Sequence, residues 1–78
     1  MTVREAAAVT AYLALIEGDG DSFSAYVPDL PGCVAAGDSV EEVRRLMREA
    51  VPLHIESLRN HGEPVPRPRT EVEFVEAD

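Results

Sequence analysis

Val27-Pro28-Asp29-Leu30-Pro31-Gly32-Cys33-Val34-Ala35-Ala36-Gly37-Asp38-Ser39 is the stretch on which the reading of the fold turns. Pro28, Pro31 and Gly32 cannot stay in a regular ladder, because proline lacks an N–H and fixes its own φ, while glycine readily takes positive φ. The stretch is therefore a rigid turn. Apolar, alternating residues precede it and the small residues from Cys33 to Gly37 follow it, which predicts strand, turn, strand. Asp38-Ser39 ends the second of these strands, and Ser39 with Glu42 three residues on forms a Ser-x-x-Glu capping box that starts a helix.

Upstream, residues 10–17 are apolar at nearly every position. Tyr12, Ala14 and Ile16 would line one face of a strand, and Leu13 and Leu15 the other. A strand apolar on both faces needs a cover on each side. Gly18-Asp19-Gly20-Asp21 is read as a tight hairpin connection. A calcium loop starting at Glu17 would need glycine where Ser22 stands and glutamate where Pro28 stands, so that reading fails. Residues 22–27 alternate, with Phe23, Ala25 and Val27 toward the core and Ser22, Ser24 and Tyr26 away from it. Residues 1–9 are weakly specified and carry no assigned role.

Downstream, a helix is expected from Val40 to Asn60, with Val40, Val43, Met47, Ala50, Val51, His54 and Leu58 on one stripe and Leu46 and Leu53 on its flank. Glu41 and Arg45 make a favourable pair one turn apart. Pro52 falls on the polar face, which predicts a bent but continuous helix, and Gly62 is placed to terminate it. Residues 63–69, with Pro64, Pro66 and Pro68, form a stiff extended connector. Val72 and Phe74 between Glu71, Glu73 and Glu76 then predict a last strand over residues 70–75. The expected architecture is one α+β domain over residues 1–78: a two-layer β-β-β-α-β fold with a mostly antiparallel sheet and one long helix on one face.

The order of these parts resembles the HicB-like family of small bacterial antitoxins. The residues that carry the resemblance are Tyr12-Leu13-Ala14-Leu15-Ile16-Glu17, the acidic hairpin, Phe23-x-Ala25-x-Val27, Pro28-Asp29-Leu30-Pro31-Gly32-Cys33, Gly37-Asp38-Ser39-x-Glu41-Glu42, Glu49-Ala50 and His61-Gly62-Glu63-Pro64-x-Pro66. The resemblance implies a protein that binds and blocks a small HicA-like toxin, a ribonuclease of double-stranded-RNA-binding type that cleaves messenger RNA with a histidine. An orphan HicB-like module that oligomerises and serves another partner is the alternative. Many relatives carry a further DNA-binding domain; here twelve residues follow Pro66, too few for one, so no direct nucleic-acid binding is expected.

Charge agrees with that expectation independently. Seven arginines and no lysine stand against fifteen acidic residues, for a formal charge of −8, and such a surface repels phosphate while favouring a basic protein. With 78 residues the chain buries only about 60% of its unfolded surface, so association would help it. One cysteine excludes an internal disulfide and a cysteine-based zinc site, and the weakly apolar start is no export or membrane segment, so a cytoplasmic location is expected.

Catalysis finds little footing. His54 lies in the apolar stripe without an evident partner and is read as a packed core histidine; Cys33 is read as a small buried hydrophobe. His61 belongs at the helix C-terminus, where an imidazole meets the helix dipole favourably. Asp29 and Asp38 are turn residues whose carboxylates accept backbone N–H groups. No phosphate loop or metal-ligand cluster is recognisable, so neither an enzyme nor a cofactor is expected. What the pattern does predict is an uncovered apolar sheet face, holding either Tyr12, Ala14 and Ile16 or Leu13 and Leu15 together with Tyr26. Leu13, Leu15, Tyr26, Asp29 and Leu30 are the candidate partner-binding residues, and a homodimer or higher even oligomer is the expected state.

Overall fold

A computed structural model describes residues 10–78. The element order is β1 (Leu15–Gly18), β2 (Phe23–Tyr26), β3 (Val34–Gly37) and α1 (Val40–Asn60), an α+β arrangement as expected. The strands form one antiparallel sheet in the order β1-β2-β3, with Leu15 opposite Tyr26 opposite Val34 and Ile16 opposite Ala25 opposite Ala35.

The proline corner is two successive β-turns. Leu30 N donates to Val27 O at 3.0 Å across Pro28-Asp29, and Cys33 N donates to Leu30 O at 3.0 Å across Pro31-Gly32. Each proline occupies the position whose φ its ring presets, and Gly32 at φ 88° takes the positive-φ place of a type II turn. Val27 N then donates to Cys33 O at 3.1 Å, which closes the corner and sets the β2–β3 register. Leu30, caught between the two turns, points inward and is 0% exposed.

The corner also explains why β1 is shorter than the expected 10–17. Extending the observed register beyond Leu15 and Tyr26 would set Leu13 against Pro28, which has no N–H to give. The ladder ends there. Residues 10–14 continue without a strand partner, although Tyr12 and Ala14 still pack on the core beside Ile16.

Ser39 caps α1 by accepting from Glu42 N at 3.1 Å, while Glu42 Oε1 accepts from Asp38 N at 2.8 Å. The capping box thus closes one residue further back than its usual form, on Asp38 instead of Ser39. It can do so because Gly37 has no side chain: a Cβ there would stand 2.7 Å from Glu42 Oε1. At the other end Gly62 N donates to Arg59 O and Glu63 N to Leu58 O, the pair of bonds that stops a helix in a Schellman motif. His61 Nδ1 lies 2.7 Å from Ser57 O, so that nitrogen carries the proton and donates to a terminal carbonyl. The helix runs unbroken through Pro52.

The core is Ala25, Val27, Leu30, Cys33, Val43 and Met47, flanked by Tyr12, Ile16, Phe23, Ala35, Ala50, Val51, Ile55 and Leu58. Two expectations for α1 are corrected. Leu53 lies largely in solvent and Ile55, one turn beyond Val51, packs instead; Arg45 pairs with Glu49 at 3.5 Å, one turn forward, and not with Glu41.

The predicted last strand is also corrected. Residues 71–78 are exposed and join no ladder, because Thr70 is held at the proline corner and no strand edge of the described chain lies alongside. The expectation of weak order over residues 1–9 lies outside the described residues.

Candidate functional site

Helix α1 contacts β2 and β3 from one side, and register decides what the other side shows. Ile16, Ala25 and Ala35 form a cross-strand row facing the helix, so Leu15, Tyr26 and Val34 form the adjacent row facing away from it. Of the two alternatives left open, Tyr12, Ala14 and Ile16 pack on the core, so Leu15 with Tyr26 lies on the face away from the helix, and period-two continuation puts Leu13 there too; Leu13 and Leu15 are themselves half-buried. Tyr26 is 41% exposed and Val34 64%. Val34 was not singled out in the sequence, although alternation outward from buried Cys33 marks it.

The same face changes character along the strands. The next row is Glu17, Ser24 and Ala36, and beyond it a shallow groove is lined by Glu17, Asp19, Ser22, Phe23, Gly37 and Asp38. Asp19 Oδ1 accepts from Asp21 N at 3.1 Å and Ser22 N at 3.2 Å. These bonds, that from Asp21 foremost, favour the ionised carboxylate and hold its pKa below the usual aspartate value. The face is therefore apolar at the end near the proline corner and anionic at the hairpin end.

Asp29 does something its local turn does not require. Its Oδ2 accepts from Arg69 N at 2.8 Å and Thr70 N at 3.0 Å, and its Oδ1 accepts from the Thr70 hydroxyl at 2.7 Å. The Arg69 N–H, followed by the Thr70 hydroxyl, lowers the Asp29 pKa from its ordinary value. Tyr12 donates its hydroxyl proton to Pro66 O, so the connector is tied at two points, across the start of β1 and across the corner. A contact 40 residues away in sequence leaves no local signal, which is why the clamp was not legible beforehand.

The remaining candidates separate. Leu30 cannot reach a partner because it is wholly enclosed in the core. Cys33 is buried, and loss of hydration pushes its thiol pKa up, away from a reactive thiolate. His54 is only half-buried, with Cε1 3.8 Å from where a Cβ on Gly32 would stand, so it lies against the corner and not inside the core. Among the described residues no group of three His, Cys, Asp or Glu is placed to hold a metal, and no helix is long and apolar enough to cross a membrane.

The sequence profile of the HicB-like antitoxin of bacterial toxin-antitoxin systems matches residues 12–78. The chain belongs to the HicB-like antitoxin family. Relatives of this HicB-like chain include a UPF0150 protein of Thermoplasma acidophilum, 38% identical over 77% of the chain and 88% of that protein. A UPF0150 protein of Synechocystis is 40% identical over 72% of each. An uncharacterized 14.9 kDa protein of Haemophilus phage HP1 is 38% identical over 72% of the chain but only 42% of its own length, so the chain spans less than half of that relative. Membership makes this an antitoxin-like, regulatory protein; its matched region takes in β1, the corner, the helix and the connector.

Proposed function

We propose that this HicB-like chain is the antitoxin of a type II toxin-antitoxin pair, binding a small HicA-like toxin that cleaves messenger RNA and covering that toxin's RNA-binding surface. The observation that supports this most is the anionic end of the open sheet face, where Glu17, Asp19 and Asp38 gather on a chain already at −8. A toxin that grips RNA must present cationic groups to phosphate, and the same groups suit a cluster of carboxylates. The apolar end, with Leu13, Leu15, Tyr26 and Val34, serves a second copy, giving a homodimer or higher even oligomer in the cytoplasm.

The experiment is co-expression with the small basic chain encoded beside its gene. The native sequence restores growth, and the double variant E17K/D38K, which alters exposed positions only, loses rescue while keeping its helical circular dichroism. Failure of the native chain to restore growth, or full rescue by the double variant, contradicts the proposal. The absence of a basic neighbour favours the orphan interaction module instead.

A further inference from the structure

We propose that the C-terminal arm, residues 71–76, adds as an antiparallel strand to the free edge of β3 in a second copy of this chain, with Phe74 opposite Val34 and Val72 opposite Ala36. This deepens the self-association reading above and is independent of the toxin.

The edge is identified by the hydrogen-bond pattern. The bond from Val27 N to Cys33 O marks Val27 and Cys33 as a bonded pair, and pairs alternate along an antiparallel ladder. Ala25 with Ala35 and Phe23 with Gly37 are then bonded pairs as well. Val34 and Ala36 are left with N–H and C=O groups directed away from β2, without a strand partner among the described residues. Their side chains lie on the open face. A strand bonded to these two residues puts its own bonded side chains on that same face, so the register with Val72 and Phe74 there lengthens the row Leu15, Tyr26, Val34 by an aromatic ring.

The arm has the matching character. It alternates Glu71, Val72, Glu73, Phe74, and Phe74 is 93% exposed, with Val72 and Val75 also in water.

The clamp at Asp29 decides that the acceptor is another copy. In the proposed register Thr70 lies opposite Asp38, at the far end of β3 from the proline corner. Four residues of strand separate Val34 from Asp38, about 13 Å. Within one chain Thr70 is held by Asp29 at the corner itself, so a chain cannot lay its arm antiparallel on its own β3. The edge of β1 is the poorer acceptor. By the same alternation it directs Ile16 and Gly18 outward, so Val72 and Phe74 bonded there turn to the helix side with the arm's glutamates beside Glu17, and the register shifted by one residue sets Val72 itself against the Glu17 carboxylate. Reciprocal exchange gives each β3 one arm and closes a two-fold dimer.

Sedimentation velocity on the full chain at tens of micromolar tests the proposal. The intact protein sediments at twice its 8.5 kDa, whereas a chain ending at Thr70, and separately A36P, sediments as a monomer with unchanged helical circular dichroism. Proline at residue 36 removes an outward N–H and no bond to β2. In a second arm, V34C chains mixed with F74C chains form a disulfide-linked heterodimer on mild oxidation. A truncated chain that still dimerises, with no cross-link in the mixture, overturns the arm exchange and leaves association through the open face standing. A monomeric intact chain overturns both.

Discussion

At Asp29 the sequence neighbourhood predicts a carboxylate satisfied within its own turn, since Pro28 and Pro31 hold it rigidly on either side. The structure instead aims its carboxylate at Arg69 and Thr70, so the two prolines fix an anchor for the C-terminal connector. Its pKa is lowered in the folded chain, and a carboxylate with a lowered folded pKa contributes above its unfolded value and loses that contribution as pH falls through the folded one. The Arg69 and Thr70 amide resonances should therefore titrate with a midpoint below the ordinary aspartate value of about 4. D29A should give both amides random-coil shifts at neutral pH. A midpoint at or above about 4 would show that the clamp is not what holds them. Leu30 teaches the opposite lesson: as the side chain between two prolines it looked available to a partner, but a double turn must direct one residue inward. That direction follows from turn types, which residue identities at Pro28, Pro31 and Gly32 do encode.

Helix α1 was the most legible element, because its caps, its 3.6-residue stripe and its terminator all lie within the segment they define. Its start carries a prediction. Glu42 occupies the space a side chain at residue 37 would need, so G37A should displace that carboxylate from the Asp38 N–H and cost about 1 kcal/mol in urea unfolding, comparable to loss of a helix cap. E42A should cost about as much, and the two together little more than either, since both remove one contact. Additive losses would mean that Gly37 matters for another reason. Strand lengths were less legible than the helix. Period-two alternation at residues 10–14 predicts which way side chains face, and Tyr12 and Ala14 obey it, yet a ladder also needs donors on the neighbouring strand, and Pro28 has none. The arm shows the same limit, with strand-like alternation but no ladder partner among the described residues.

Taken as a molecule, this HicB-like chain divides its sheet between two uses. One side is closed by Val43 and Met47 of the helix; the other runs from an apolar end at the proline corner to an anionic end at the hairpin. Apolar residues on both faces of the first strand marked both faces for burial, while turning Tyr12, Ala14 and Ile16 to the helix side and Leu15 away from it required the register with β2. The edge of β3 and the face beside it are, in this account, the places where another chain completes the domain. Amide hydrogen exchange at Val34 and Ala36 tests that most directly, with Ala35, bonded inward to Ala25, as the internal reference. In the intact protein at tens of micromolar, both outward amides should exchange at least about 10-fold more slowly than in a chain ending at Thr70. Equal, rapid exchange of Val34 and Ala36 in the two chains, with Ala35 protected in both, would contradict it.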